Sequence, residues 1–196
     1  MSNTYTEIQQ KPSSGLPLLG VRVLDLTTAL SGPFSTQTLA DMGADVIKVE
    51  RPSGDDSRKW GPPFVDENAA YFYSVNRNKR SIALDLKQDT DQAVFSRLAA
   101  ESDVLVENYR PGVTARLGIS YEDLKRTNAM LIYCSVSGYG ATMPPKAGYD
   151  QVVQATSGWM SLSGDEGTGP MRTGVPIGDI AAGMNATQSV CVINFN

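Results

Sequence analysis

Five short apolar runs, at 21–26, 45–50, 81–86, 103–107 and 130–135, constrain this chain more than any other feature. Each is rich in Val, Ile or Leu and shorter than an ordinary helix. The segments between them carry helical spacing and helical punctuation. Ser31 can cap a helix, Pro33 suits its first turn, and Gly43 stands where a left-handed residue ends one. Asp89 or Thr90 can cap a second helix running to Ala100, with Val94 and Leu98 one turn apart on its inner face. Short helices are expected over 114–117 and 121–126. Strands that alternate with helices are covered on both faces, which a parallel sheet achieves. The expected fold class is therefore α/β, a Rossmann-like parallel sheet flanked by helices.

The 196 residues suffice for one domain with its own core. Residues 1–15 are polar and are expected to form a disordered tail. The domain is expected to span 18–190. After Gly138 glycine becomes frequent, and 149–163 reads as a helix containing small residues. Another helix opens over 183–190 and runs into 191–196 without a cap or polar stop, an atypical end that reads as truncation. The stretch 52–71, rich in Gly, Pro and charge, is long for a connection. It is expected to serve the function or to cover a pocket.

Net charge is −4, with no basic stripe, so no nucleic-acid partner is expected. No apolar run is long enough to span a bilayer, and no signal pattern opens the chain, so the expectation is a cytoplasmic protein without membrane association. Cys134 and Cys191 lie far apart and form no CxxC, which suits a reducing compartment. The chain has no histidine. A metal site is therefore not expected, and acid–base or nucleophilic chemistry falls to carboxylates, Lys, Tyr, Ser or Cys. The first βα turn, 26–33, lacks GxGxxG, and neither GxxxxGK[ST] nor GxSxG occurs. A helix N-terminus at 31–34 can still bind an anion.

In open parallel sheets, ligands bind beyond the carboxyl ends of the strands. Arg51 follows the second strand and Lys87 the third. Asn108, Tyr109 and Arg110 follow the fourth, and Arg116 lies one short helix later. Four cations at one sheet edge suit a polyanionic small molecule. Arg77, Lys79 and Arg80 precede a strand and are expected to be solvated or structural. Asp179 lies among small and apolar residues between Gly174 and Gly183. Two readings stand open for it: an N-cap for a helix starting at Ile180, and covalent carboxylate catalysis. Asp150, in Gly148-Tyr149-Asp150, has the same two readings. Trp159 and Met160 are expected in the core.

Six stretches in order resemble the class III CoA-transferases of the CaiB/BaiF type, which include formyl-CoA transferase. They are 20–26, Ser31-Gly32-Pro33, 43–52, 78–82, 103–112, and Gly178-Asp179 within 175–183. The resemblance implies a CoA-transferase moving CoA from an acyl-CoA donor to a carboxylic acid acceptor, with coenzyme A as co-substrate and no permanently bound cofactor. It implies a nucleophile at Asp179, working through an aspartyl-acyl anhydride and an aspartyl-CoA thioester. It implies CoA contacts at Arg51, in the segment from Leu84 to Lys87, at Asn108, Tyr109 and Arg110, and at Arg116. A glutamine of formyl-CoA transferase falls on Leu30. Backbone N–H groups at the start of the helix near Asp179 are expected to hold the developing oxyanion. The related α-methylacyl-CoA racemases pair the same Asp with a histidine, where this chain has Tyr149. Members of the family run to about twice this length and form interlocked homodimers. The chain therefore reads as the CoA-binding half of such a transferase, with a fragment lacking turnover as the other reading.

Overall fold

The computed structural model describes residues 15–140 and 146–194. The expected tail, 1–15, lies outside the described residues except for Gly15, as do Phe195 and Asn196 of the expected atypical end. Strand β1 (Arg22–Asp25) leads into α1 (Ser31–Asp41), and β2 (Asp45–Glu50) follows. The long connection carries a 3₁₀ turn (Asp56–Lys59), then a small hairpin of β3 (Phe64–Val65) and β4 (Asn68–Ala69), then α2 (Ala70–Ser74). Strand β5 (Lys79–Ala83), α3 (Asp89–Ala100) and β6 (Val104–Glu107) come next. They are followed by α4 (Val113–Arg116), α5 (Tyr121–Leu124) and β7 (Ile132–Ser135). Helices α6 (Asp150–Thr156) and α7 (Ile177–Asn194) complete the described chain.

The main sheet is parallel with strand order β5-β2-β1-β6-β7. The expected α/β architecture is present. Side chains alternate between its faces, as the strand repeat of two demands. Val23, Val46, Val104 and Val106 pack with Leu39 of α1 and Val190 of α7 on one face. Leu24, Ile47 and Leu105 pack with Phe95 of α3 and Leu124 of α5 on the other. Helix α7 crosses α1 closely because Gly183 has no side chain. A Cβ there would lie 2.6 Å from the Ser31 carbonyl oxygen and 2.9 Å from the Phe34 ring. Beside this contact the Thr187 hydroxyl lies 3.1 Å from that of Ser35, and both residues are buried.

Several local expectations are corrected. Leu30, not Ser31, occupies the N-cap of α1, because Ala29 adopts a left-handed φ of 67° and turns the chain one residue early. Gln88 takes the N-cap of α3 in place of Asp89 or Thr90. The inner face of α3 carries Phe95 and Ala99, with Leu98 packed beside them as expected, while Val94 is exposed. Strand β5 ends at Ala83. Leu84 and Leu86 beyond it still fill the core, so their apolar character serves packing rather than the ladder. The expected helix over 149–163 breaks at Gly158, whose φ is 81°, into α6 and a 3₁₀ turn at Trp159–Leu162. Trp159 is 44% exposed rather than in the core.

The sheet interior holds charge as well as hydrocarbon. Asp25 is fully buried and stands in register beside Lys48. Its carboxylate accepts from Thr27 N at 2.8 Å, from the Thr36 hydroxyl at 2.7 Å and from Lys79 Nζ at 2.9 Å. Lys79 Nζ also donates to the Pro33 carbonyl and to Asn76 Oδ1. Lys48 Nζ donates to the Thr27 carbonyl at 2.7 Å and faces Asp55 Oδ2 at 3.1 Å, an ion pair without hydrogen-bond alignment. Burial alone would raise the Asp25 pKa, but Lys79 and Lys48 overcome it and hold the carboxyl well below its usual range. Arg77 and Arg80 pair with Asp41 and Asp45 at the surface, a structural role as expected.

Removing Asp25 would leave the buried Lys79 ammonium without its carboxylate partner and take a stabilising charge away from Lys48, which keeps Asp55. Asp25→Ala is expected to lose about 3–5 kcal/mol of stability in urea denaturation at pH 7. Because the folded pKa lies below the unfolded value, this contribution is complete above about pH 5 and is lost as pH falls. The gap between wild type and Asp25→Ala should therefore narrow in acid.

Candidate active site

The strand order reverses direction at β1: β2 and β5 lie to one side, β6 and β7 to the other. Such a reversal leaves a crevice at the carboxyl ends of the two central strands. A cleft of about 400 Å³ opens there, lined by Ser31 at the start of α1, by Asn108 and Arg110 after β6, by Gly138 after β7, and by Asp179 and Ala182 of α7. A second cleft of about 220 Å³ lies beside it, lined by Lys48 and Arg51 at the end of β2 and by Gly54 and Asp55 of the following turn. Thr28 and Tyr109 line both.

The predicted contact residues divide accordingly. Arg51, Asn108, Tyr109, Arg110 and Asp179 come together on these two clefts. Leu84, Lys87 and Arg116 line neither. Leu84 is a buried core residue, Lys87 is exposed beyond the outermost strand, and Arg116 is exposed at the end of α4. The expected single patch of four cations thus reduces, at the clefts, to Arg51 and Arg110. Arg51 is exposed and bonds Asp56 at 2.8 Å. The Asn108 side chain is already engaged: its Oδ1 accepts from Thr28 N at 2.9 Å and its Nδ2 donates to the Thr28 carbonyl at 2.8 Å. This clip holds the β1–α1 turn in which Ala29 takes its left-handed conformation. Leu30, where formyl-CoA transferase has glutamine, lines the larger cleft.

Helix α7 starts at Ile177, so Asp179 is its third residue and not its N-cap. The cap comes from another helix. Asp150, the first residue of α6, accepts from Gly178 N at 2.8 Å and from Asp179 N at 3.3 Å through one oxygen, Oδ1. Its Oδ2 accepts from Gln154 Nε2 at 2.7 Å, and the Gln154 Oε1 accepts from Thr173 N at 3.0 Å. Ile180 N donates to the Pro176 carbonyl. The first N–H groups of α7 are therefore turned to Asp150 and Pro176. The expectation that they face a developing oxyanion is corrected on that ground. The start of α1 differs: Leu30 gives it no side-chain cap, and no acidic residue stands in its first turn.

Burial, and secondarily the charge of Asp150, push the Asp179 carboxyl up to about 6. Tyr71, in α2 at the end of the long connection, reaches the same neighbourhood. Burial first, and then the charges of Asp179 and Asp55, push its phenol up to about 12, so it remains a hydrogen-bond donor at neutral pH. The Trp60 ring stands against it with centroids 5.4 Å apart. Residues 52–71 are anchored below by Glu50, whose carboxylate binds Arg58, Ser81 and the Asp55 amide. Asp150 as a partner of α7 was not visible from spacing, because the contact joins residues far apart in the chain. Among the described residues, no group of three or more His, Cys, Asp or Glu could hold a metal, and no helix is long and apolar enough to cross a membrane.

A carboxyl group with a raised folded-state pKa destabilises the fold once it is ionised. Asp179→Asn is therefore expected to stabilise the chain above about pH 6. The gain should disappear below about pH 4, where the carboxyl is neutral in both folded and unfolded chains. Thermal melts of both proteins at pH 7.5 and pH 3.5 check this.

The family description "CoA-transferase family III" matches residues 18–194. The chain is 51% identical over 177 residues to succinyl-CoA:glutarate CoA-transferase of Mus musculus, covering 89% of this chain and 41% of that protein. It is 46% identical over 172 residues to acetyl-CoA:oxalate CoA-transferase of Acetobacter aceti, covering 86% and 44%. The crystal structure of a CAIB/BAIF family protein from Brucella suis superimposes with a TM-score of 0.89 at 43% identity, over 92% of this chain and 50% of that one. The chain thus spans half or less of the length of these relatives. On the match over nearly all of its described residues, the chain belongs to the family III, or CaiB/BaiF-type, CoA-transferases.

Proposed function

We propose that this chain carries the nucleophile and the CoA cleft of an acyl-CoA:carboxylate CoA-transferase. The observation that supports this most is the position of Asp179. It is a half-buried carboxylate with a raised pKa, on the wall of a cleft that shares Thr28 and Tyr109 with the cleft that Arg51 lines. Relatives named for transfer between succinyl-CoA and glutarate, or acetyl-CoA and oxalate, support a small carboxylate acceptor.

The reaction needs no proton transfer. An Asp179 oxygen attacks the thioester carbonyl carbon, the C–S bond breaks, and CoA leaves as thiolate with the acyl group held as a mixed anhydride. The thiolate attacks the Asp179 carbonyl carbon and expels the donor as its carboxylate, leaving an aspartyl-CoA thioester. The acceptor carboxylate attacks that thioester, and CoA thiolate leaves again. The thiolate finally takes the acceptor acyl group from the second anhydride and frees Asp179. Each tetrahedral step develops an oxyanion. The uncapped start of α1, on the same cleft, offers donors suited to it. Arg51 suits a CoA phosphate through charge-assisted bonds.

The absent histidine argues against the racemase chemistry. The exposed apolar side chains of Met184 and Ile193 on α7 support a homodimer. Two free thiols fit a reducing compartment such as the cytoplasm. Incubation with succinyl-CoA, rapid quenching and peptide mass spectrometry should place an acyl or CoA adduct on Asp179, absent from Asp179→Ala. An adduct on another residue would contradict the reading. Arg51→Ala should weaken CoA binding about tenfold in calorimetry, equivalent to ~1.4 kcal/mol. An unchanged affinity would remove Arg51 from the site.

A further inference from the structure

Asp150 is a carboxylate of one helix spent on the start of another. It accepts both Gly178 N and Asp179 N, and its second oxygen is held by Gln154, which is 1% exposed. Gln154 in turn accepts from Thr173 N and its hydroxyl, which fixes the segment leading into α7. The approach is tight: a Cβ on Gly178 would lie 3.0 Å from Asp150 Oδ1 and 3.3 Å from Val153 Cγ1. A neutral Ser or Asn could cap a helix equally well. A second negative charge beside a nucleophilic carboxylate does something a neutral cap does not.

We infer that Asp150 is a positioning residue, which fixes Asp179 in the cleft by binding the first turn of α7 and opposes the ionisation of Asp179 through its own charge. The inference rests on Asp179 being the nucleophile, but its geometry is independent of any substrate. Like charges in a partly dry site disfavour double ionisation. A carboxylate whose pKa stands nearer neutrality is a stronger nucleophile when ionised. The pKa of Asp179 is raised by burial first and by Asp150 second, so removing the charge alone should undo part of the rise. Tyr71 of α2 feels the charge of Asp179, and Arg110, Lys146 and Tyr149 line the same cleft as Asp179. None of them makes the backbone bonds that Asp150 makes to α7.

The test uses the 196-residue chain without CoA. Carboxyl ¹³C NMR follows the titration of Asp179, and hydrogen exchange follows the amides of Gly178 and Asp179. Asp150→Asn keeps an acceptor oxygen and removes the charge. It should lower the Asp179 midpoint by about half a pH unit or more, toward the ordinary value near 3.9, with amide protection retained. Asp150→Ala should in addition speed exchange of both amides at least about tenfold, a change of ~1.4 kcal/mol in opening. An unmoved midpoint in Asp150→Asn overturns the inference, as does unchanged exchange in Asp150→Ala. If the alanine variant does not fold, the asparagine variant decides alone. Because no substrate is present, this outcome is separate from whether Asp179 is acylated.

Discussion

A carboxylate without access to water ties this sheet together. Asp25, at the carboxyl end of β1, meets the neighbouring lysine of β2, the lysine that opens β5, and a threonine of α1. Elements β1, α1 and β5 are thereby joined through one pair of oxygens, at the edge where the clefts open, and Lys48 of β2 adds its charge beside them. A hydrophobic contact could join the same elements, but it would not fix their ends to within a hydrogen bond. The cost is the desolvation of three charges, which is recovered only while all partners are present. Lys48 extends the arrangement to the Thr27 carbonyl and to Asp55, so the turn after β2 is fixed by the same network.

On that frame the site is assembled from turns that are each held by one side-chain clip. Asn108 binds both backbone groups of Thr28 and keeps the β1–α1 turn beside the β6 turn. Glu50 binds Arg58, Ser81 and the Asp55 amide and gathers the long connection against the sheet. Asp150 takes the first N–H groups of α7. Backbone groups of Thr28, Asp55, Gly178 and Asp179 at the clefts are therefore already bonded. The uncapped start of α1 is the exception that borders the space beside Asp179.

Much of this was legible in the sequence. Apolar runs locate all five strands of the main sheet, and parallel pairing then sends every strand's carboxyl end to one edge. That is why Arg51, Asn108, Tyr109 and Arg110 could be grouped in advance, whereas Asp179 stood out by its small-residue surroundings and by the family resemblance. Lys87 follows the outermost strand and Arg116 comes after a further turn, and neither lines the two clefts. Val94 and Phe95 offer rival helical faces that periodicity alone does not separate. The buried ion pairs and the Asp150 cap were hidden for a different reason. Asp25 and Lys79 lie 54 positions apart and Asp150 and Gly178 lie 28 apart, and an Asp in a strand or at a helix start looks the same whether its partner is water, its own helix or another.

The central physical claim is that the two clefts and Asp179 form one continuous site. Backbone amide NMR during a CoA titration tests it most directly. The account predicts that the amides of Thr28, Arg51, Tyr109 and Asp179 shift together along one saturation curve. Shifts centred on Lys87 and Arg116, with Asp179 unmoved at saturation, would contradict it.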